Sequence, residues 1–206
     1  MAFLYALSSC AFSLADIFAS QVEHVGTLIR DGSLDRVLVR PVGPLVQICA
    51  EFFALRRLGR LVESTAVGVL ALSWLAVDWD AGRVALTAVT VASGTVIFAA
   101  LFVLTSSIAF WVIDSREVAN AFTYGGNFLT QYPLSILPGW LRRFMVYVLP
   151  LGFVSYLPGL IILGKPSPAG VPRWLGYASP VAAGLLAVTA RAVWSTAIRH
   201  YRSTGS

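Results

Sequence analysis

The sequence predicts an all-α integral membrane protein that forms one transmembrane domain. Its 206 residues are 57% hydrophobic and only 12% charged, whereas a soluble domain carries about 25% charged residues. The mean hydropathy is +0.77, and the apolar residues are gathered into runs of about twenty, the length that crosses a bilayer. Most basic residues flank these runs, which is typical of cytoplasmic loops of membrane proteins. We therefore expect a lipid bilayer around the chain and no nucleic-acid partner.

The first apolar run extends from Ala2 to Ser20 and is long enough for one span at about 1.5 Å per residue. A polar elbow over 21–41 follows it. In this elbow, Ser33 is a predicted helix N-cap, 34–39 a short helix and Pro41 its end. The helix has an apolar side and a basic side. It is too short to be stable alone, so we expect it to rest on a partner or on the membrane surface.

Four further spans are predicted over about 61–77, 84–113, 118–131 and 177–198, which makes five in all. The run over 84–113 contains thirty residues without a charge, and one tilted span accounts for it. Between the last two spans, the segment 138–170 holds Pro150 and Pro158, which predicts a re-entrant hairpin on the outer side. A further complete span is the alternative. All of 1–206 then forms a single domain.

The positive charges predict an orientation. If the elbow is cytosolic, nine basic residues lie on the inner side and five on the outer side, as the positive-inside rule favours. The C-terminus is then cytoplasmic, and with five spans the N-terminus lies outside. The inner set is Arg30, Arg36, Arg40, Arg56, Arg57, Arg60, Arg116, Arg199 and Arg202; the outer set is Arg83, Arg142, Arg143, Lys165 and Arg173.

Four polar residues recur at spacings of three or four in the span over 118–131 and share one helix face. This pattern predicts either helix–helix contact or the lining of a substrate path. The residues are Asn120, Tyr124, Asn127 and Gln131.

Three acidic residues lie in or near membrane segments, where ionisable side chains are candidates for a functional role. They are Asp16, Glu51 and Glu63. Two interpretations stay open: each lies at an interface or pairs with one of the arginines at 56, 57 and 60, or one of them couples transport to an ion.

The sequence has no pattern typical of a catalytic or metal site. Cys10 and Cys49 are predicted to be reduced, buried thiols. The segment GLIILGKPS over 159–167 approaches a phosphate-binding loop, but Pro166 stands where a hydroxyl residue would bind magnesium, and proline has no N–H to donate. We expect no cofactor, no metal and no enzymatic activity in this chain.

Three blocks of sequence carry a resemblance. LIRDGSLDRVLVRPVGPLVQ over 28–47 resembles the elbow signature "IR-x-G-x-LD-x-x-L-x-RPV-x-PL" of ABC transporter permeases of the type-2 exporter class. LRRLGRL over 55–61 and QYPLSILPGWLRRFMVYVLPLGFVSYLPGLIILG over 131–164 resemble later segments of that family. Such permeases have six membrane helices. The first one is missing here, since Met1 falls inside what would be the second, so we expect a shortened member or a start placed too late.

The resemblance implies a permease subunit in the plasma membrane, driven by a separate cytosolic ATPase that binds ATP and magnesium. It also implies export of hydrophobic or cationic compounds, and pairing as a homodimer or with a second permease. The elbow would be the coupling helix, with three apolar residues entering a groove on the ATPase and five charged residues fixing the register. An ion-coupled secondary transporter and a non-transport scaffold are the alternatives. The apolar residues are Leu34, Val37 and Leu38, and the charged ones are Arg30, Asp31, Asp35, Arg36 and Arg40.

Overall fold

The structure is a computed structural model that describes residues 1–50, 56–74, 77–112, 116–167 and 171–201. Within these ranges the chain is helical and contains no strand. In chain order, the helices are α1 (Ala2–Ala19), α2 (Val25–Arg30), α3 (Leu34–Leu38), α4 (Pro44–Ala50), α5 (Arg56–Trp74), α6 (Ala81–Ser107), α7 (Arg116–Thr130), α8 (Gly139–Tyr147), α9 (Tyr156–Ile162) and α10 (Ser179–His200).

Three helical segments in the described ranges are long and apolar enough to cross a membrane: Ala2–Arg30, Ala81–Phe110 and Ser179–His200. A fourth span results if the bent pair Gly139–Tyr147 and Leu151–Ile162 counts as one. Helix α5 does not qualify because several charges lie in its first half, and α7 does not because it has only 15 residues. The all-helical membrane fold is therefore confirmed, whereas the count of five spans stays a prediction.

The predicted re-entrant hairpin corresponds to α8 and α9, which are separated by a bend of 78°. Pro150 lies in the bend and directly precedes a 3-10 turn over Leu151–Phe153. Because proline donates no backbone hydrogen bond, it favours such a break. A broken span and a re-entrant loop both fit this geometry. The hairpin over 138–170 stays a prediction, and its residues 168–170 lie outside the described ranges.

Helix α6 is central: it packs against α1, α7 and α10, while α1 lies between α5 and α6. The ring of Phe12 on α1 is fully buried and lies 5.1 Å from that of Phe98 and 5.8 Å from that of Phe102, both on α6. Gly94 permits this close approach, because a Cβ at that position would lie 2.9 Å from the Cβ of Ala11. Small residues at helix contacts serve the same purpose in membrane proteins generally.

The outer faces of the long helices are apolar and exposed. Val181, Leu185 and Val188 of α10 are exposed at helical spacing, so they share one face. Val62 and Val69 of α5 are exposed as well. A soluble protein rarely leaves such faces uncovered, and lipid is the solvent that suits them. This distribution agrees with a multi-pass membrane protein.

The polar sequence predicts that the elbow begins at residue 21, but in the structure the preceding helical segment ends only at Arg30. A 3-10 turn over Ser20–His24 joins α1 to α2, so the helical segment continues to Arg30. Gln21 is buried in this continuation although it is polar. Gly32 then separates α2 from α3 with φ of +66°, a conformation that glycine adopts without steric cost. Ser33 stands at the predicted N-cap of α3 but makes no side-chain cap hydrogen bond.

Candidate functional site

The elbow is anchored by an apolar cluster within this chain. The side chain of Leu34 is only 1% exposed and packs in a cluster with Val25, Ile29, Ile48 and Trp194. This burial places Leu34 among side chains of α2, α4 and α10 in the chain's own core, and its role as a residue that enters the ATPase stays a prediction. Val37 and Leu38 are half-buried against the same cluster.

The base of the elbow rests on the ends of α6 and α10. The ring of Phe110, just beyond α6, lies 5.6 Å from that of Trp194 and 6.3 Å from that of Tyr201, in edge-to-face geometry. Burial raises the pKa of Tyr201, and the nearby Asp35 carboxylate raises it further. Asp35 therefore lies near Tyr201, directly beyond the end of α10.

The remaining charged residues of the elbow are on its surface. Arg30, Asp31, Arg36 and Arg40 are exposed. Among the described residues, no carboxylate lies within 4 Å of Arg30, Arg36 or Arg40. Their exposure lets a carboxylate of another molecule reach them.

A groove of about 430 Å³ lies between α3 and α4, and we call it the elbow groove. Gln47 on α4 ties its two sides together: its side-chain amide donates to the carbonyl oxygen of Val37 at 3.1 Å and also to that of Val42. The walls combine apolar and basic side chains. The lining residues are Leu28, Ser33, Arg36, Val37, Arg40, Val42, Val46, Gln47 and Ala50.

A charge cluster joins α1 to α5 where the two helices meet the elbow. Asp16 has its carboxylate oxygens 3.5 Å from Arg57 Nε and 3.6 Å from Arg60 Nη1. Arg57 also donates to the carbonyl oxygen of Asp16 at 3.0 Å. The predicted pairing of Asp16 with these arginines is confirmed. Glu63 accepts from Tyr5 Oη at 3.2 Å, and Glu51 lies outside the described residues.

Two of the four stripe residues contact α1. The ring of Tyr124 lies 5.5 Å from that of Phe12, and its hydroxyl donates to Glu23 Oε2 at 3.4 Å. Asn127 Oδ1 accepts from Ser8 Oγ at 3.3 Å. Tyr124 is nevertheless exposed, and Asn127 is half-buried, so part of this polar face stays open beside α1. Asn120 and Gln131 are both half-buried, and the substrate path stays a prediction.

Several residues of the site had no role in the sequence analysis. Gln47 is the last residue of the block that resembles the elbow, and its hydrogen bonds to one carbonyl in α3 and one in the following loop could not be predicted from that pattern. The burial of Trp194 could have been predicted from helical spacing, because it shares one apolar face of α10 with Ala190 and Ala197. All three side chains are buried.

The described residues also include no group of three or more His, Cys, Asp or Glu side chains that could hold a metal. Cys10 and Cys49 are free thiols and half-buried. Burial raises the pKa of the Cys49 thiol, which favours its neutral form.

The comparison with protein families gives one match. A model described as "ABC-2 family transporter protein" matches residues 1–205, and so includes the elbow, the groove and the charge cluster. No curated protein matches the chain, and no solved structure does.

Proposed function

Because the chain belongs to the ABC-2 family of transporter proteins, we propose that it is the permease subunit of an ATP-binding cassette exporter, driven by a separate cytosolic ATPase. Family membership makes it an ABC transporter permease and a multi-pass membrane protein. The observation that best supports the finer proposal is the elbow, which presents exposed arginines outward from an apolar base. That base joins the ends of three long helical segments.

This base gives the elbow a means of moving the membrane helices. When two ATPase subunits bind ATP and close on each other, elbows docked to them are displaced. Leu34 and Trp194 share one cluster, so the displacement reaches α10, while Asp16 with its two arginines passes it to the contact between α1 and α5. Packed helices respond to such a displacement by tilting as rigid units. The tilt changes which side of the membrane has access to the proposed path.

The proposed path runs along the open polar face of α7 beside α1, and it needs a second permease copy or a similar partner permease to close it. We place the C-terminus in the cytoplasm, at the same side as the elbow, because Tyr201 packs on Phe110 at the elbow's base. The family resemblance suggests hydrophobic or cationic compounds as substrates. Aromatic and amide side chains, such as Tyr124 and Asn127, suit molecules of this kind.

An ion-coupled transporter is the second candidate, because Asp16 is a buried carboxylate. Its side chain is only 8% exposed, and buried acids in membranes often relay protons. Both of its oxygens, however, lie within 3.6 Å of an arginine nitrogen. These contacts link α1 to α5, so Asp16 is better suited to holding the two helices together than to coupling transport to an ion.

Transport in inside-out membrane vesicles separates the two candidates. We expect uptake of a fluorescent lipophilic cation to require ATP and to continue when ionophores remove the ion gradients. Uptake should cease when the co-expressed ATPase loses its phosphate-binding lysine. Uptake that does not require ATP and that ceases when ionophores are added would instead establish ion coupling.

A further inference from the structure

We propose that the elbow groove receives a two-residue contact from the ATPase subunit: an acidic side chain with a large apolar side chain beside it. This inference rests on the proposed function and goes beyond it, because it exchanges the expected roles of the elbow and the ATPase at this contact. The elbow would act at this point as the receptor, and the ATPase would supply the protruding residues.

The burial of Leu34 is the first reason. Leu34 packs in the chain's own core, and Val37 and Leu38 are half-buried against the same cluster, so the three apolar side chains expected to enter a partner are engaged within this chain. The concave feature beside it is open instead. Its volume of about 430 Å³ lies in the range typical of ligand pockets, about 300–1,000 Å³. Gln47 on α4 donates to the carbonyl of Val37 in α3 and to that of Val42 in the loop between the two helices. These contacts form the groove within this chain, without a partner.

The basic side chains that line the groove indicate that its occupant carries an acidic side chain. Arg36 and Arg40 line it, both are exposed, and neither has a carboxylate within 4 Å among the described residues. A guanidinium group binds a carboxylate with two parallel hydrogen bonds. The lining between and beside them is aliphatic, from Leu28, Val42 and Val46. An acidic residue next to an apolar one satisfies both parts of this lining at once.

Crosslinking locates the occupant. A photoreactive amino acid in place of Val46, which lines the groove and is exposed, should capture the ATPase subunit in cells. The crosslinked segment should contain an acidic residue within a few positions of the site of attachment. Val62 is equally exposed but lies on α5, outside the groove, so the same label there should capture lipid only.

Charge reversal then tests the recognition. We expect Arg36→Glu or Arg40→Glu to reduce the ATPase that co-purifies by at least about tenfold, and reversal of the partner's crosslinked acid to Arg to restore it. Arg199→Glu is the matched control, because Arg199 is exposed at the end of α10 but does not line the groove.

Each result has a definite meaning. If the wild-type chain retains an ATPase but the label at Val46 captures only lipid, or if Arg36→Glu and Arg199→Glu behave alike, the groove proposal is overturned and the proposed function stands. If no ATPase accompanies the wild-type chain from its own membrane, both are overturned.

Discussion

Shortening Leu34 to alanine should release the elbow from its base. The side chain is 1% exposed, and removing a buried leucine side chain typically costs about 2–5 kcal/mol. Helix α3 spans only five residues and is not stable without this packing. The loss should therefore appear as local opening of the elbow and leave the packing of α1 against α6 intact.

Hydrogen exchange measures this opening directly. The amide of Val39 donates to the carbonyl of Asp35 at 3.2 Å, and that of Asp31 donates to the carbonyl of Thr27 at 2.9 Å. A loss of about 2 kcal/mol corresponds to roughly thirtyfold faster exchange of such amides, since about 1.4 kcal/mol gives a factor of ten. Amides near Phe98 in α6 should be unchanged.

Val39→Ala is the matched control, because this aliphatic residue adjoins α3 but is 85% exposed. We expect its exchange rates to stay within about twofold of wild type, in line with surface substitutions of under about 0.5 kcal/mol. Equal effects of the two substitutions, or no effect of Leu34→Ala, would refute the assignment of Leu34 to the elbow's anchor.

Three further predictions concern the membrane helices. Gly94→Val should lower the stability in detergent by about 1–3 kcal/mol, because its Cβ would collide with α1. Gly125→Ala should not lower it, because the space around Gly125 is open. Similar melting temperatures of the two variants would contradict the close contact of Gly94 with α1. Asp16→Asn should destabilise more than Arg60→Gln, since the aspartate is 8% and the arginine 49% exposed; the opposite order in thermal unfolding would contradict the charge cluster. Asn127→Leu should change the range of compounds that are exported, and an unchanged range with altered subunit association would favour a packing role.

Elements with a strong sequence signal were predicted closely. The uncharged run over 84–113 corresponds to α6 and the turn that follows it, and the last apolar run over 177–198 corresponds to α10. Gly32 was expected only as part of a motif, and its positive φ gives the physical reason for its place there. These features depend on local composition or local backbone geometry, which a sequence records directly.

Features that depend on tertiary contacts were harder to predict. Gln21 was assigned to the polar elbow, because the burial that lets a polar residue continue the helix there is supplied by helices distant in sequence. Leu34 shares an amphipathic pattern with Leu38, and such a pattern identifies an apolar side but not the surface that covers it. In this chain Leu34 packs in a cluster that includes residues of α2, α4 and α10. The elbow groove likewise depends on Gln47 folding back across the loop.

Native mass spectrometry of the tagged chain, purified from its own membrane in mild detergent, tests the central claim most directly. The account predicts a complex of two permease subunits and two ATP-binding subunits, with the second permease either identical or different. Addition of ATP should not dissociate it. A chain that is released alone, or with partners that bind no ATP, would contradict the proposal that a separate ATPase drives it.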